Sequence, residues 1–234
     1  MQRGKFYSVG VGPGDPMLIT LKAIDTFKRC DVICVPQSSQ GKNLALDIAS
    51  EYLQGKEILF CKMPMTRDKE VLDAHHNLAA DTICPLLEEG KDVAFLTLGD
   101  PGVYSTNTYV HKKIMNRGFE TEIVPGITSF CAAAASLNIP LCEAGETLHI
   151  IPASYDDLEN NLSLKGPKVL MKAGGQFKAM KNRLIELKKE NTVMMVECAT
   201  MPNEKIYAEI EDADDDSGYF SLIVVKEKEA KCSE

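Results

Sequence analysis

The chain lacks tryptophan, has few aromatic residues and shows no excess of positive charge. Its 26 Lys and Arg side chains stand against 34 Asp and Glu, which gives a formal net charge of −8. Because an acidic surface repels a polyphosphate unless basic residues gather on one face, we expect no nucleic-acid partner. No apolar run reaches the ~18 residues of a membrane-spanning helix, and no signal-peptide pattern is present. We therefore expect no membrane partner and a cytoplasmic location.

Motifs for disulfides and metals are also missing. The eight cysteines form no C-x-x-C motif and are scattered along 234 residues, so we predict reduced thiols that serve mainly as small apolar core residues. The adjacent pair His75 and His76 would point about 100° apart on a helix and would not meet at one metal ion. We predict no protein-bound metal.

Short apolar runs alternate with amphipathic stretches in the first half of the chain, which is typical of parallel strands joined by helices. The predicted strands there cover 6–11, 31–35, 56–61, 92–98 and 119–124, and the predicted helices cover 17–29, 43–53, 66–89 and 106–117. An alanine-rich helix is then predicted over 128–137. The later strands are predicted at 147–151, 168–171, 192–196, 205–210 and 219–226.

These patterns indicate an α/β protein of two α/β domains, residues 1–125 and 126–234. The second domain is expected to contain a mixed sheet. The polar, glycine-containing stretch 211–218 separates two predicted strands and is interpreted as a hairpin connection. Its many acidic residues favour a solvated turn.

The first of three glycine-bearing loops is GVGPGDP, residues 10–16, directly after the first predicted strand. It differs from the dinucleotide-binding pattern G-x-G-x-x-G because its third glycine comes one residue early and Pro13 has no N–H for a phosphate. Asp15, followed by Pro16, is predicted to cap the next helix and would occupy the position that a pyrophosphate needs. A ligand without phosphates is favoured. A tight turn in which Asp15 only caps a helix remains equally open.

The second loop is LGDPGVYST, residues 98–106, and it follows the most apolar strand of the first half. Ligands bind at the carboxyl ends of such strands in open α/β sheets. Asp100 can accept hydrogen bonds from an ammonium or from hydroxyl groups. A simple Asp-Pro-Gly turn is the alternative, but it gives no reason for Tyr104, Ser105 and Thr106 to follow at once.

The third loop is VPGITS, residues 124–129, which precedes the alanine-rich helix. Thr128 or Ser129 can cap that helix and still offer a hydroxyl group to a ligand. The alternative interpretation is that these small residues only permit close packing.

Taken together, GVGPGDP, LTLGDPGVYST and VPGITSF resemble, in order and spacing over nearly the whole chain, the tetrapyrrole methylase family of S-adenosylmethionine-dependent enzymes. The segments PMTRD (64–68), GDPGVYST (99–106) and VPGITSFCAAAASLNIPL (124–141) look most like the members that methylate C(20) of precorrin-2 or cobalt-factor II in cobalamin biosynthesis. The resemblance implies a kidney-shaped pair of α/β domains with the methyl donor in the cleft between them, and a homodimer.

The resemblance also implies roles for individual residues around S-adenosylmethionine, whose demethylated product is S-adenosylhomocysteine. Pro13 would line the trough for donor and substrate, and Thr128 and Ser129 would form a polar pair that meets the donor. The backbone of Met171 would hold the adenine, while Ala208 lies near a position where relatives often carry glycine. The remaining predicted donor contacts are Leu98, Gly99, Asp100 and Val103.

The acceptor is expected to be a tetrapyrrole with many carboxylates. Arg67 in PMTRD is the best candidate for a carboxylate clamp, because its planar guanidinium binds in a bidentate manner. Tyr104, Ser105 and Thr106 are the other predicted substrate-binding residues. Tyr104 and Asp100 are the catalytic candidates, for influencing removal of the proton from the methylated carbon. Since an ordinary tyrosine has a pKa of ~10, orienting the macrocycle is the favoured role of Tyr104.

Three alternatives stay open at this point. A member of the same family can methylate a different acceptor, such as another corrin carbon, ribosomal RNA or a protein histidine. A tetrapyrrole- or nucleotide-binding module without catalysis is a different class of protein. Whether the natural acceptor contains cobalt is also undecided by the residues.

Overall fold

The structure is a computed structural model that describes residues 2–37, 43–153, 158–173 and 177–228. Its contacts divide the chain into two compact units, Met1–Thr128 and Ser129–Glu234. Each unit is built on one five-stranded sheet. The predicted α/β class is therefore confirmed.

The first unit is a parallel sheet with the strand order β3-β2-β4-β1-β5. Its elements alternate as the sequence predicts: β1 (Phe6–Gly10), α1 (Leu21–Arg29), β2 (Val32–Gln37), α2 (Leu44–Ala49), β3 (Glu57–Lys62), α3 (Lys69–Glu88), β4 (Val93–Thr97), α4 (Asn107–Asn116) and β5 (Thr121–Val124). Successive side chains of the central strands enter two different apolar clusters, one against α1 and α2 and the other against α3 and α4. Both faces of this sheet are thus covered, which is the usual state of a parallel sheet.

Helix starts in this unit are decided by capping side chains. Asp15 accepts a hydrogen bond from the Met17 N–H (2.8 Å) and caps a single 3₁₀ turn, Pro16–Leu18. Thr20 then caps α1 by accepting from the Ala23 N–H (3.1 Å). The predicted helix 17–29 is therefore divided in two, because two separate caps compete for the segment and the residues between them are extended.

The second unit has a mixed sheet with the order β6-β7-β10-β8-β9, in which β6 and β7 are parallel and the other neighbours are antiparallel. The mixed sheet was predicted, and its elements are α5 (Ser129–Ser136), β6 (His149–Pro152), α6 (Leu158–Ser163), β7 (Lys168–Met171), α7 (Phe177–Leu187), β8 (Asn191–Glu197), β9 (Lys205–Tyr207) and β10 (Ser221–Glu227).

The hairpin predicted around 211–218 is wrong. β9 and β10 do not pair with each other, because β8 lies between them. β10 pairs with β8 over seven residues and with β7 on its other side, and its first five residues are buried. A strand this apolar is more stable in the middle of the sheet than at its edge beside β9, the strand that precedes it in the chain.

The acidic segment that follows β9 is bound to the protein rather than free in solvent. Asp214 forms an ion pair with Lys205 (2.8 Å), and Asp215 forms one with Lys181 of α7 (3.2 Å). The buried side chain of Ile210 begins a short 3₁₀ turn in the same segment. The expectation of a solvated turn was therefore incomplete.

Seven of the eight cysteines lie in the described residues, and all seven are free thiols. Four of them, Cys30, Cys34, Cys61 and Cys84, are buried in the first unit, in agreement with their predicted role as core residues. Cys232 lies outside the described residues. Within the described ranges, no helix combines the length and hydropathy needed to cross a membrane.

Candidate functional site

The first two glycine-bearing loops leave the same edge of the first sheet, because β1 and β4 are parallel neighbours. A two-residue bridge joins them: the Gly99 N–H donates to the Gly12 carbonyl (2.7 Å), and the Gly12 N–H donates to the Gly99 carbonyl (3.3 Å). The Val11 N–H also donates to the Thr97 carbonyl (2.9 Å). The loops that the sequence singled out are therefore held against each other by main-chain hydrogen bonds.

The third loop follows β5, the neighbour of β1 on its other side, and packs against the first two loops backbone to backbone. A Cβ atom at Gly126 would lie 2.3 Å from the Gly99 carbonyl oxygen, and one at Gly10 would lie 2.7 Å from the Gly126 nitrogen. Neither distance is possible for a real side chain. Glycine at these positions is required by the close approach of three loops.

Asp100 connects the second and third loops through its side chain. One carboxylate oxygen, Oδ1, accepts from the Gly102 N–H (2.7 Å), and the other, Oδ2, accepts from the Gly126 N–H (2.9 Å). The first bond is the local turn that an Asp two residues before a glycine favours. The second joins residues 26 positions apart, and no pattern in the sequence predicted it.

Tyr104 sits at the outer end of the second loop with 45% of its surface exposed and with φ at +48°. A left-handed backbone is uncommon for a residue other than glycine, and such strained positions cluster at ligand sites. This exposed position with a strained backbone makes Tyr104 a candidate for contact with a ligand.

Ser105 and Thr106 stand at the start of α4. The Ser105 hydroxyl oxygen accepts from the Asn107 N–H (3.1 Å), so Ser105 caps the helix. Beneath it, the Asn107 amide donates to the Thr97 hydroxyl (3.1 Å), and both of these side chains are buried. Thr97 and Asn107 support the loop from below and were not predicted. The adjacent Thr106 is exposed and makes no side-chain cap.

The other predicted donor residues of the first unit lie around the same junction. Pro13 is buried, and Leu98 and Val103 are half-buried. The Thr128 hydroxyl oxygen is buried and has no hydrogen-bond partner among the described residues. A buried hydroxyl group without a partner is unfavourable, so this oxygen is suited to a ligand that supplies one.

Arg67 lies in the exposed stretch between β3 and α3, one residue before Asp68, which caps α3. β3 is two strands away from β4 in the sheet. At a spacing of about 4.8 Å per strand, the two strand ends are roughly 10 Å apart. Because the strands are parallel, the segment that contains Arg67 leaves the sheet at the same edge as the three loops.

Three predicted donor residues belong to the second unit. Ser129 is the first residue of α5. Met171 ends β7, and its carbonyl accepts from the Ala153 N–H (2.7 Å). Ala208 is exposed directly after β9. The residue after Met171, Lys172, has φ at +57°, and burial lowers the pKa of its amine.

The histidines are not arranged around a metal. His76 is buried and stacks on the Tyr109 ring, with the ring centres 5.0 Å apart. His111 shares a 2.8 Å hydrogen bond with the Ser8 hydroxyl, and burial lowers the pKa of its ring. Across the parts of the chain that the structure describes, no three His, Cys, Asp or Glu side chains are grouped as metal ligands.

The described residues form an α/β protein whose candidate ligand site lies at the carboxyl ends of a parallel sheet, next to a first loop that differs from the dinucleotide-binding pattern. Residues 5–214 match the model of the Tetrapyrrole (Corrin/Porphyrin) Methylases. The chain belongs to this family.

Two relatives extend over almost the whole chain. A "Probable cobalt-precorrin-2 C(20)-methyltransferase" of Methanocaldococcus jannaschii is 39% identical over 95% of this chain and 96% of its own. The "Cobalt-precorrin-2 C(20)-methyltransferase" of Salmonella typhimurium is 33% identical over 96% of this chain and 97% of its own. The fold is also similar to the uroporphyrin-III C-methyltransferase of Thermus thermophilus solved with S-adenosylhomocysteine (TM-score 0.69, 23% identity, 95% of this chain and 97% of that chain).

Proposed function

We propose that this protein is an S-adenosylmethionine-dependent methyltransferase that methylates C(20) of precorrin-2 or cobalt-factor II in cobalamin biosynthesis. One observation carries this proposal: relatives that match from end to end at 39% and 33% identity bear the name of a C(20)-methyltransferase of this type. The PMTRD and GDPGVYST segments, which suggested the same acceptor, lie on the sheet edge where ligands of parallel sheets bind.

The loop junction fits S-adenosylmethionine chemically. This donor is a sulfonium zwitterion without phosphate groups, so the missing N–H at Pro13 and the acidic cap at Asp15 do not disfavour it. The glycines bring the main chains of the three loops close together, and the buried Thr128 hydroxyl group has no hydrogen-bond partner among the described residues, so it can bond to a donor. In the first unit, the donor would be held by Pro13, Leu98, Gly99, Val103 and Thr128.

Methyl transfer to carbon is an in-line displacement in which the positive charge on the donor's sulfur disappears. The protein's main task is to hold the methyl carbon about 3 to 3.5 Å from the accepting carbon and in line with it, since orientation supplies several kcal/mol of rate enhancement. The hydrogen bonds that join the loops, main chain to main chain between the first two and through the Asp100 carboxylate to the third, suit this task. A strong general base is not required for the transfer itself.

The acceptor site requires an aromatic face and cations for carboxylates. Tyr104 presents an exposed ring beside the donor loop, and we assign it to orienting the macrocycle and influencing loss of the proton. Arg67 lies five residues after the end of β3, and the carboxyl ends of β3 and β4 are roughly 10 Å apart. A cation away from β4 suits a broad ligand with carboxylates at its periphery, so Arg67 would bind one of those carboxylates. Ser105 and Thr106 complete the proposed acceptor contacts.

Further parts of the proposal rest on the family resemblance. Ser129, Met171 and Ala208 are assigned to the donor, Met171 through its backbone. The protein is proposed to act as a homodimer in the cytoplasm.

The test is a direct assay with purified protein. S-adenosylmethionine and S-adenosylhomocysteine should both bind by calorimetry, and NAD should not. Incubation with precorrin-2 and, separately, with cobalt-factor II should add the mass of one methyl group to one or both, and NMR should locate it at C(20). Protein that binds the donor but leaves both acceptors unchanged would refute the proposed acceptor. Comparing the two rates decides whether cobalt is present in the preferred substrate.

A further inference from the structure

We propose that Asp100 is a positioning residue: its carboxylate joins the second loop to the third and so holds the Thr128 hydroxyl group in place for the donor. This inference rests on the proposed donor site. Under this proposal, Asp100 contributes to donor binding mainly by fixing the protein backbone, and not by contacting the donor directly.

The first support is the use of both carboxylate oxygens. Oδ1 accepts from the Gly102 N–H at 2.7 Å and Oδ2 from the Gly126 N–H at 2.9 Å. Hydrogen bonds to a charged acceptor are stronger than those between neutral groups. Among the described residues, both hydrogen bonds that Asp100 accepts come from the main chain, so the carboxylate is committed to fixing two loops.

The second support is the local backbone. Gly126 has no side chain of its own to fix the third loop, and none can be added because a Cβ atom there would lie 2.3 Å from the Gly99 carbonyl oxygen. Glycine also loses more conformational freedom on ordering than any other residue. A hydrogen bond to its N–H from a neighbouring loop is therefore one means of ordering this turn, beside the Thr20 hydroxyl group that donates to the Pro125 carbonyl (3.4 Å).

The third support is the position of Thr128. It lies two residues after Gly126, and its hydroxyl oxygen is buried with no partner in the described parts of the chain. A shift of the Gly126 peptide group moves the backbone that carries this hydroxyl group. Asp100 and Thr128 are thus predicted to act as one unit in donor binding.

A double-mutant cycle tests this coupling. Asp100→Asn keeps one acceptor oxygen and should weaken S-adenosylmethionine binding about tenfold by calorimetry, which corresponds to about 1.4 kcal/mol. Thr128→Val removes only the hydroxyl group and should weaken binding about fivefold. The double variant should bind no more weakly than Asp100→Asn alone. If the two losses multiply, Asp100 acts independently of Thr128 and the inference is overturned.

Asp15→Asn provides the matched control. Asp15 is also a carboxylate that accepts a main-chain N–H at 2.8 Å beside one of the three loops, but its bond is to Met17. Any effect of this substitution on the donor's dissociation constant should multiply with that of Thr128→Val.

A second measurement needs only the unmodified protein, in which the Gly126 amide should be protected from hydrogen exchange. In folded Asp100→Asn protein, the NMR resonance of the same amide should also move. Free exchange of the Gly126 amide would overturn the inference. If the unmodified protein fails to bind S-adenosylmethionine at all, the proposed function is refuted instead, so the two failures are distinguishable.

Discussion

Gly126→Ala should damage both stability and donor binding, because position 126 is the most crowded glycine of the loop junction. The added methyl group would lie 2.3 Å from the Gly99 carbonyl oxygen and 2.9 Å from the Gly10 Cα. Both neighbours are main chain in a parallel sheet and its loops, so they cannot turn away as a side chain can. Overpacking of this kind costs about 1 to 3 kcal/mol.

The substitution also lengthens the bond from the Gly126 N–H to Asp100. A hydrogen bond to a charged group contributes about 1.5 to 3 kcal/mol, and part of it is lost when the loop moves. We therefore expect a total loss of about 3 kcal/mol. At roughly 3 °C per kcal/mol for a protein of this size, the melting temperature should fall by roughly 10 °C.

Calorimetry and thermal melting followed by circular dichroism measure the two effects. Gly145→Ala is the matched control, because a Cβ atom there meets nothing within 4 Å and its backbone is not left-handed. The free energy of unfolding of that variant should lie within about 0.5 kcal/mol of the value for the unmodified protein. The reasoning is refuted if Gly126→Ala melts like Gly145→Ala and binds S-adenosylmethionine with unchanged affinity.

Two further predictions concern the acceptor and the dependence of stability on pH. Arg67→Ala should raise KM for the tetrapyrrole about tenfold, because the proposed bidentate carboxylate contact is lost. Arg67→Lys should be intermediate, and the donor's dissociation constant should stay the same in both variants. An unchanged KM would remove Arg67 from the site. His111 has a pKa lowered by burial, so the unfolded chain binds more protons than the folded one below about pH 6.5. The free energy of unfolding should therefore fall as the pH is lowered through that region. Chemical denaturation at pH 7 and at about pH 5 should show a smaller fall for His111→Gln than for the unmodified protein. Equal falls would contradict a lowered pKa of His111.

The first unit was predictable from sequence because its signals are local. The buried strands are mainly apolar runs, interrupted in β1 by Ser8, and the helices between the strands begin at residues whose side chains cap the first turn. Where one stretch carried two caps, at Asp15 and Thr20, the prediction joined what the structure divides. Parallel sheets built from strand-helix units leave few alternative topologies once the elements are known.

The second sheet was less predictable because it mixes parallel and antiparallel neighbours, so its strand order does not follow from repeated strand-helix units. The apolar run that forms β10 is compatible with several neighbours, and its place between β7 and β8 depends on which pairing buries both of its faces. The stretch before it looked like a hairpin turn because glycine and acidic residues are common there. Ion pairs with residues far along the chain, such as Asp215 with Lys181, cannot be read from such a local pattern.

The candidate site shows the same division between local and distant information. The three loops were recognised from their residues, yet the structure gives much of their glycine content a backbone reason: Gly10 and Gly126 have no room for a Cβ atom, and Gly99 has a left-handed backbone (φ +73°). The GDPG and VPG motifs therefore determine how the loops pack. A protein that shares these motifs is expected to share the shape of the donor site, but the motifs say less about which acceptor is methylated. Acceptor choice is then expected to come from side chains outside these glycines. Two of the predicted acceptor residues, Tyr104 and Arg67, lie at exposed positions, Tyr104 after β4 and Arg67 after β3.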